Sequence, residues 1–127
     1  MEKKKILIIE DDQSLVRLIK QALGENEFEV SLALTADEGL KKAVSQKPAV
    51  IVLDVLLPGK NGFKCLEELK ANQQSKNIPV IMLSNLGQIE EIKKGHDLGA
   101  IDYLVKADFS VDEVAKRIIG VVKNQKK

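Results

Sequence analysis

Short apolar runs alternate with stretches of helical periodicity along the whole chain. Lys5 to Ile9 predicts a first strand, which runs directly into Glu10-Asp11-Asp12. From Gln13 to Leu23 the residues Leu15, Ile19, Ala22 and Leu23 recur at helical spacing, and Gly24 supplies the stop. Phe28 to Ala33 predicts a second strand. Thr35-x-x-Glu38 has the spacing of a capping box and opens a helix to about Ser45, with Leu40, Ala43 and Val44 facing inward. Ala49 to Leu53 is apolar at every position and lies between Pro48 and Pro58-Gly59, as expected of a strand buried on both faces; Asp54 stands at its exit. The loop Gly59-Lys60-Asn61-Gly62 then leads into a helix with Phe63, Leu66 and Leu69 on one face. Pro79 to Leu83 predicts a fourth strand ending on Ser84. The stretch from Gln88 to Lys94 has the faintest helical pattern, with Ile89 and Ile92 as its apolar contacts. Ile101 to Val105 predicts a fifth strand ending on Lys106. Ser110-x-x-Glu113 is a second capping box, opening a final helix that turns Val114, Ile118, Val121 and Val122 inward. The basic tail Lys123 to Lys127 suits the negative end of that helix dipole.

Strands alternating with helices through short connections imply right-handed crossovers and a parallel sheet covered on both faces. The expected fold is therefore α/β: a doubly wound five-stranded parallel sheet flanked by five helices, flavodoxin-like, in the order 2-1-3-4-5. No repeat or linker interrupts the pattern, and residues 1–127 are expected to form one domain with no attached effector domain. Aromatic residues are only 3% of the chain against 44% hydrophobic, so the core must be built from aliphatic side chains. Twenty basic residues against 19 acidic leave a net charge of +1, which gives no overall pull toward nucleic acid or a membrane surface. No direct nucleic-acid contact and no membrane insertion are expected, and partners must be recognised by a local site. The lone Cys65 cannot form an internal disulfide, and no run approaches membrane-spanning length, so the expected location is the cytoplasm.

The switch point of such a sheet lies between strands 1 and 3, which places Glu10, Asp11 and Asp12 beside Asp54. Ser84 and Lys106 end the next two strands. Carboxylates gathered in a partly desolvated pocket repel one another unless a cation joins them. Mg²⁺, with Mn²⁺ as the alternative, takes oxygen ligands and needs few carboxylates. Glu10, Asp11 and Asp54 would hold it, with the backbone carbonyl of Leu56 as a further oxygen. Asp54 then becomes suited to attack phosphorus, while the metal, Lys106 and the Ser84 hydroxyl with backbone N–H groups meet the three equatorial oxygens. Taken singly, Ser84 reads as a turn residue and Lys106 as a solvated lysine. Their arrival at successive strand ends is the signal. His96, in Lys93-Lys94-Gly95-His96-Asp97, reads as a solvated helix end, and Cys65 as a packing residue.

Ile8-Ile9-Glu10-Asp11-Asp12, Leu53-Asp54-Val55-Leu56-Leu57-Pro58-x-x-x-Gly62, Leu83-Ser84 and Tyr103-Leu104-Val105-Lys106 resemble the CheY-like receiver domain of bacterial two-component response regulators, over nearly the whole chain. The resemblance implies that Glu10 and Asp11 are the metal acids. It implies that Asp54 takes a phosphoryl group from a phosphohistidine on a sensor histidine kinase or histidine phosphotransfer protein. Ser84 and Tyr103 would form the switch, Tyr103 matching the aromatic that turns inward as the hydroxyl moves toward the phosphate. Asp12, one position past the metal pair, reads as a helix cap. The signal would pass to an output protein that the sequence does not name. The domain would be a phosphoacceptor that gains and loses its phosphate at Asp54 with Mg²⁺, not an enzyme acting on a separate substrate. Leu56, Asn85 and Leu86 would flank the approach of a hydrolytic water. Asn85 stands where the family usually has a small residue, and Lys106-Ala107-Asp108-Phe109 replaces the usual Lys-Pro. Without proline the Lys106–Ala107 peptide is expected to be trans.

Other classes fit less well. A dinucleotide site needs a glycine-rich turn after the first strand, where this chain has three acids. A haloacid-dehalogenase-type phosphatase would need an acid two residues after Asp54, where this chain has Leu56. The alternative retained is a receiver-like interaction module that signals without phosphate.

Overall fold

The computed structural model describes residues 3–24 and 26–124. Its elements are β1 (Lys4–Ile9), α1 (Gln13–Leu23), β2 (Phe28–Ala33), α2 (Ala36–Gln46), β3 (Val50–Leu53), α3 (Gly62–Ala71), β4 (Val80–Ser84), α4 (Ile89–Asp97), β5 (Asp102–Val105), a 3₁₀ turn (Lys106–Asp108) and α5 (Val111–Lys123). All pairings are parallel, and the strand order is β2-β1-β3-β4-β5, as expected.

The two-residue period of the strands divides the core between the two faces of the sheet. Ile6, Ile8, Val50, Val52, Ile81, Leu83 and Leu104 face Val16, Ile19 and Leu23 of α1 and Val114, Ile118 and Val122 of α5. Leu7, Ile9, Ile51, Leu53, Val80, Met82 and Tyr103 face the other layer, which includes Ala43 of α2 and Cys65, Leu66 and Leu69 of α3. Strands buried on both sides must be apolar throughout, which is why β3 shows no alternation.

Caps set most of the helix starts. Asp12 Oδ1 accepts from Leu15 N–H at 3.2 Å, as a helix cap should. Ser110 and Glu113 form the expected reciprocal box. The box at α2 is only half realised: Thr35 Oγ accepts from Glu38 N–H at 3.2 Å, but Glu38 reaches one residue further back, to Leu34 N–H at 2.8 Å. Of the basic tail, Lys123 lies in the last turn of α5, whereas residues 125–127 lie outside the described residues.

Two expectations are corrected. The fourth helix runs three residues past Lys94, and Ile89 is 80% exposed instead of packed. Its contact face is instead Gly95, with Ile92 half-buried, so the pattern was faint because a glycine stands where a large apolar residue would be sought. The fifth strand starts at Asp102, leaving Ile101 exposed. All peptide bonds of the described residues, Lys106–Ala107 included, are trans.

Gly62 is where the chain passes closest to itself. Its N–H donates to Val55 O at 2.8 Å, and a Cβ there would lie 2.7 Å from Val55 Cα and against the Asp54 carbonyl. Backbone atoms on both sides cannot give way, so this position after Pro58-Gly59 requires glycine. Gly62→Ala should destabilise the protein by about 1–3 kcal/mol, the usual range for overpacking. Thermal denaturation would show it as a lowered Tm, and an unchanged Tm would refute the close approach.

Candidate functional site

The register of the sheet assembles the site. Ile9 lies opposite Leu53, so the next residues, Glu10 and Asp54, emerge side by side; Asp54 N–H donates to Ile9 O at 3.1 Å and Glu10 N–H to Ala33 O at 2.9 Å. Ser84 pairs with Val105, which delivers Lys106 to the same edge. Glu10 and Asp54 are only 2% and 5% exposed, whereas Asp11 is exposed.

Lys106 joins the acids. Its Nζ lies 2.8 Å from Glu10 Oε1 and 3.1 Å from Asp54 Oδ2. The residues that replace Lys-Pro form a 3₁₀ turn, and the ammonium arrives through it. The second oxygens are also held: Asp54 Oδ1 accepts from Leu56 N–H and Glu10 Oε2 from Asp12 N–H, both at 3.2 Å. Burial pushes the Glu10 carboxyl up to about 7, with the Asp54 charge acting the same way, against Lys106 and the Asp12 N–H, which pull it down. Burial would depress the Lys106 ammonium, but Glu10 and Asp54 more than offset it and hold the group above its ordinary value. One ammonium shared by two carboxylates stays charged.

Glu10, Asp11 and Asp54 each offer a carboxylate oxygen, and the three oxygens lie within 4.8 Å of one another. An all-oxygen set with two buried acids and one ammonium is under-neutralised, so the residues fit a hard divalent cation.

Ser84 is fully buried, and its Oγ accepts from Leu86 N–H at 3.3 Å. The Tyr103 hydroxyl donates to Leu86 O at 2.6 Å, so Leu86 joins the two residues through its own peptide groups. The Tyr103 ring is turned inward. Burial raises its hydroxyl above the ordinary value, with Glu91 and Asp54 contributing and the neighbouring Ser84 opposing. Gly95 makes room for the ring, since a Cβ there would lie 2.8 Å from Tyr103 Cδ2. The sequence reading missed this pairing, because nothing local connects a glycine in α4 with an aromatic on β5. His96 is exposed near the end of α4, as expected. Cys65 is fully buried, and burial pushes its thiol up to about 12, so it packs as an inert side chain.

The chain belongs to the response regulator receiver domain family, whose model matches residues 6–119. It is 38% identical over 122 residues to the alkaline phosphatase synthesis transcriptional regulatory protein PhoP of Bacillus subtilis, covering 94% of this chain and 49% of that protein. The chain thus spans about half the length of the curated relatives it matches. The receiver domain of Francisella response regulator 1452 superposes with a TM-score of 0.86 at 33% identity, covering 98% of this chain and 100% of that one. The Mn²⁺-bound form of response regulator Rcp1 superposes with a TM-score of 0.76 at 26% identity, covering 95% of this chain and 93% of that one.

A carboxyl whose folded-state value is raised favours the folded state most while protonated. The contribution of Glu10 is therefore fully present below about 4.5 and is lost as pH rises through about 7. In metal-free buffer the wild-type Tm should fall between about pH 5 and pH 7.5, and Glu10→Gln should flatten that slope and melt higher at the upper end. Melting curves in excess chelator check this; a slope unchanged in the variant would assign the titration elsewhere.

Proposed function

We propose that this chain accepts a phosphoryl group on Asp54 from the phosphohistidine of a sensor histidine kinase or histidine phosphotransfer protein, in the cytoplasm. The observation that carries the reading is the buried Asp54 carboxylate held between Lys106 and Leu56 N–H, with Glu10 and Asp11 in reach of a shared cation. Glu10, Asp11, Asp54 and the Leu56 carbonyl would hold Mg²⁺ or Mn²⁺. That ion supplies neutralisation of charge on the phosphoryl oxygens. Asp54 contributes the attacking oxygen: its bond to phosphorus forms as the bond from phosphorus to the imidazole nitrogen breaks, the nitrogen keeping the electron pair. Lys106 transfers its contact from the carboxylates to a phosphoryl oxygen, staying charged throughout because both flanking acids favour the ammonium. Ser84 exchanges its bond from Leu86 for one to the phosphoryl group. Because Leu86 also accepts from Tyr103, that exchange transmits to the surface beside α4. Asp54 is consumed and regenerated by the chain itself, so the protein is a signalling phosphoacceptor.

Acetyl phosphate in Mg²⁺ should label the wild type and fail to label Asp54→Asn. Label on that variant at wild-type levels, or undiminished in excess chelator, would sink the reading. No label on the wild type from any phosphodonor would favour a receiver-like module that signals without phosphate.

The aspartyl phosphate should be long-lived. Leu56 is 53% exposed and Leu86 half-buried, and neither side chain can orient a water in line with the phosphorus bond, while Asn85 narrows the approach. The first-order loss of phosphate should be severalfold faster in a Leu56→Asn/Leu86→Glu double variant, and Asn85→Ala should not slow it. No acceleration in the double variant, or slower loss in Asn85→Ala, would overturn this steric and water-orientation argument.

A further inference from the structure

We propose that Lys60 is a positioning residue for the metal end of the site, holding the β3–α3 loop by tying it to α2 and α3 at once. The inference rests on the metal reading above. The loop is pinned near Asp54 by Leu56 N–H on Asp54 Oδ1 at 3.2 Å and by Gly62 N–H on Val55 O at 2.8 Å. At its far end Asn61 Oδ1 accepts from Lys64 N–H at 3.0 Å, which fixes the start of α3. Between these anchors stands Lys60, preceded by Gly59 in the left-handed region at φ 79°. Its Nζ lies 3.1 Å from Asp37 Oδ1, in the first turn of α2, and 2.7 Å from Glu68 Oε2 in α3. Glu68 Oε2 is buried and makes no hydrogen bond among the described residues, so the Lys60 ammonium is what offsets its charge.

The arrangement repeats the pattern of one ammonium between two carboxylates that Lys106 makes with Glu10 and Asp54. An exposed ion pair alone contributes little, but this one has a buried carboxylate oxygen on one side and a loop backbone to hold on the other. A side-chain ligand is aimed by its own rotamer. A carbonyl ligand is aimed only by the path of the chain, and the path of Leu56 O depends on where residues 57–61 are held. Lys60 is the side chain that sets that position from the α2–α3 side, so its loss should be felt in metal affinity as well as in stability.

The test is the Mg²⁺ dissociation constant of the unphosphorylated chain, from titration followed by the amide resonances of Leu56 and Leu57, compared with the metal-free Tm. Lys60→Met should weaken Mg²⁺ binding about 3–10-fold, below the 10–100-fold typical of groups bonded directly to a ligand. Lys60→Arg should restore it to within about twofold. Lys60→Met/Glu68→Gln removes the stranded buried charge and serves if the single variant does not fold; it should melt near wild type and still bind more weakly. Lys70→Met is the control. Lys70 braces the opposite end of α3 by donating to Lys76 O at 3.1 Å and Ile78 O at 2.9 Å, so its loss should lower Tm without moving the constant. Unchanged Mg²⁺ affinity in the double variant, or an equal shift in Lys70→Met, would overturn the proposal while leaving the metal site intact. Absence of Mg²⁺ binding by the wild type would overturn the metal reading with it.

Discussion

The Lys106 ammonium lies within 3.1 Å of both Glu10 and Asp54, and the carboxyl edge of the sheet is tenable because of it. Two acids almost without solvent access cannot both ionise beside each other in a weakly polar pocket unless a cation faces them. A single ammonium meets the immediate repulsion and no more. Asp11 adds a third carboxylate oxygen in reach, so the resting site keeps a surplus of negative charge. That surplus suits the three oxygens to a divalent cation. The ion pair is thus less a source of stability than a means of keeping an unfavourable arrangement folded.

The rest of the molecule tolerates that arrangement because it is otherwise regular. The buried parts of β1, β3 and β4 are apolar on both faces of the sheet up to Ser84, and the helices on either side bury matching apolar rows. At the carboxyl edge the backbone departs from regular structure at the left-handed Gly59, the close approach of Gly62 and the 3₁₀ turn Lys106–Asp108. Irregular loops carried by a rigid scaffold are the usual setting of a functional site. The turn after Lys106 also shows that the lysine does not need the family's proline to reach the acids. Lys106, Ala107 and Asp108 form a single 3₁₀ turn before α5.

Ser84, Leu86 and Tyr103 form a second chain of dependence that leaves the site by way of backbone groups. Gly95 completes it by leaving space for the ring between α4 and β5. Helix α4 is the helix most weakly held against the core, with Gly95 its one buried residue.

The fold and the meeting of the candidate site residues at one sheet edge were legible in the chain, since each depends on local regularities. Apolar runs set the strands, caps such as Ser110 with Glu113 set helix starts, and a parallel topology must place Glu10, Asp54, Ser84 and Lys106 at one edge because all four terminate strands. The Glu38 carboxylate took the Leu34 N–H in place of that of Thr35, and Ile89 proved exposed, because residue spacing alone does not decide which of two adjacent groups is reached. Gly62 against the Asp54 backbone, Gly95 beneath Tyr103, and Lys60 between Asp37 and Glu68 were decided only by tertiary structure. Each depends on the distance between elements far apart in the sequence, and periodicity records which way a residue faces but not how closely the opposing surface approaches.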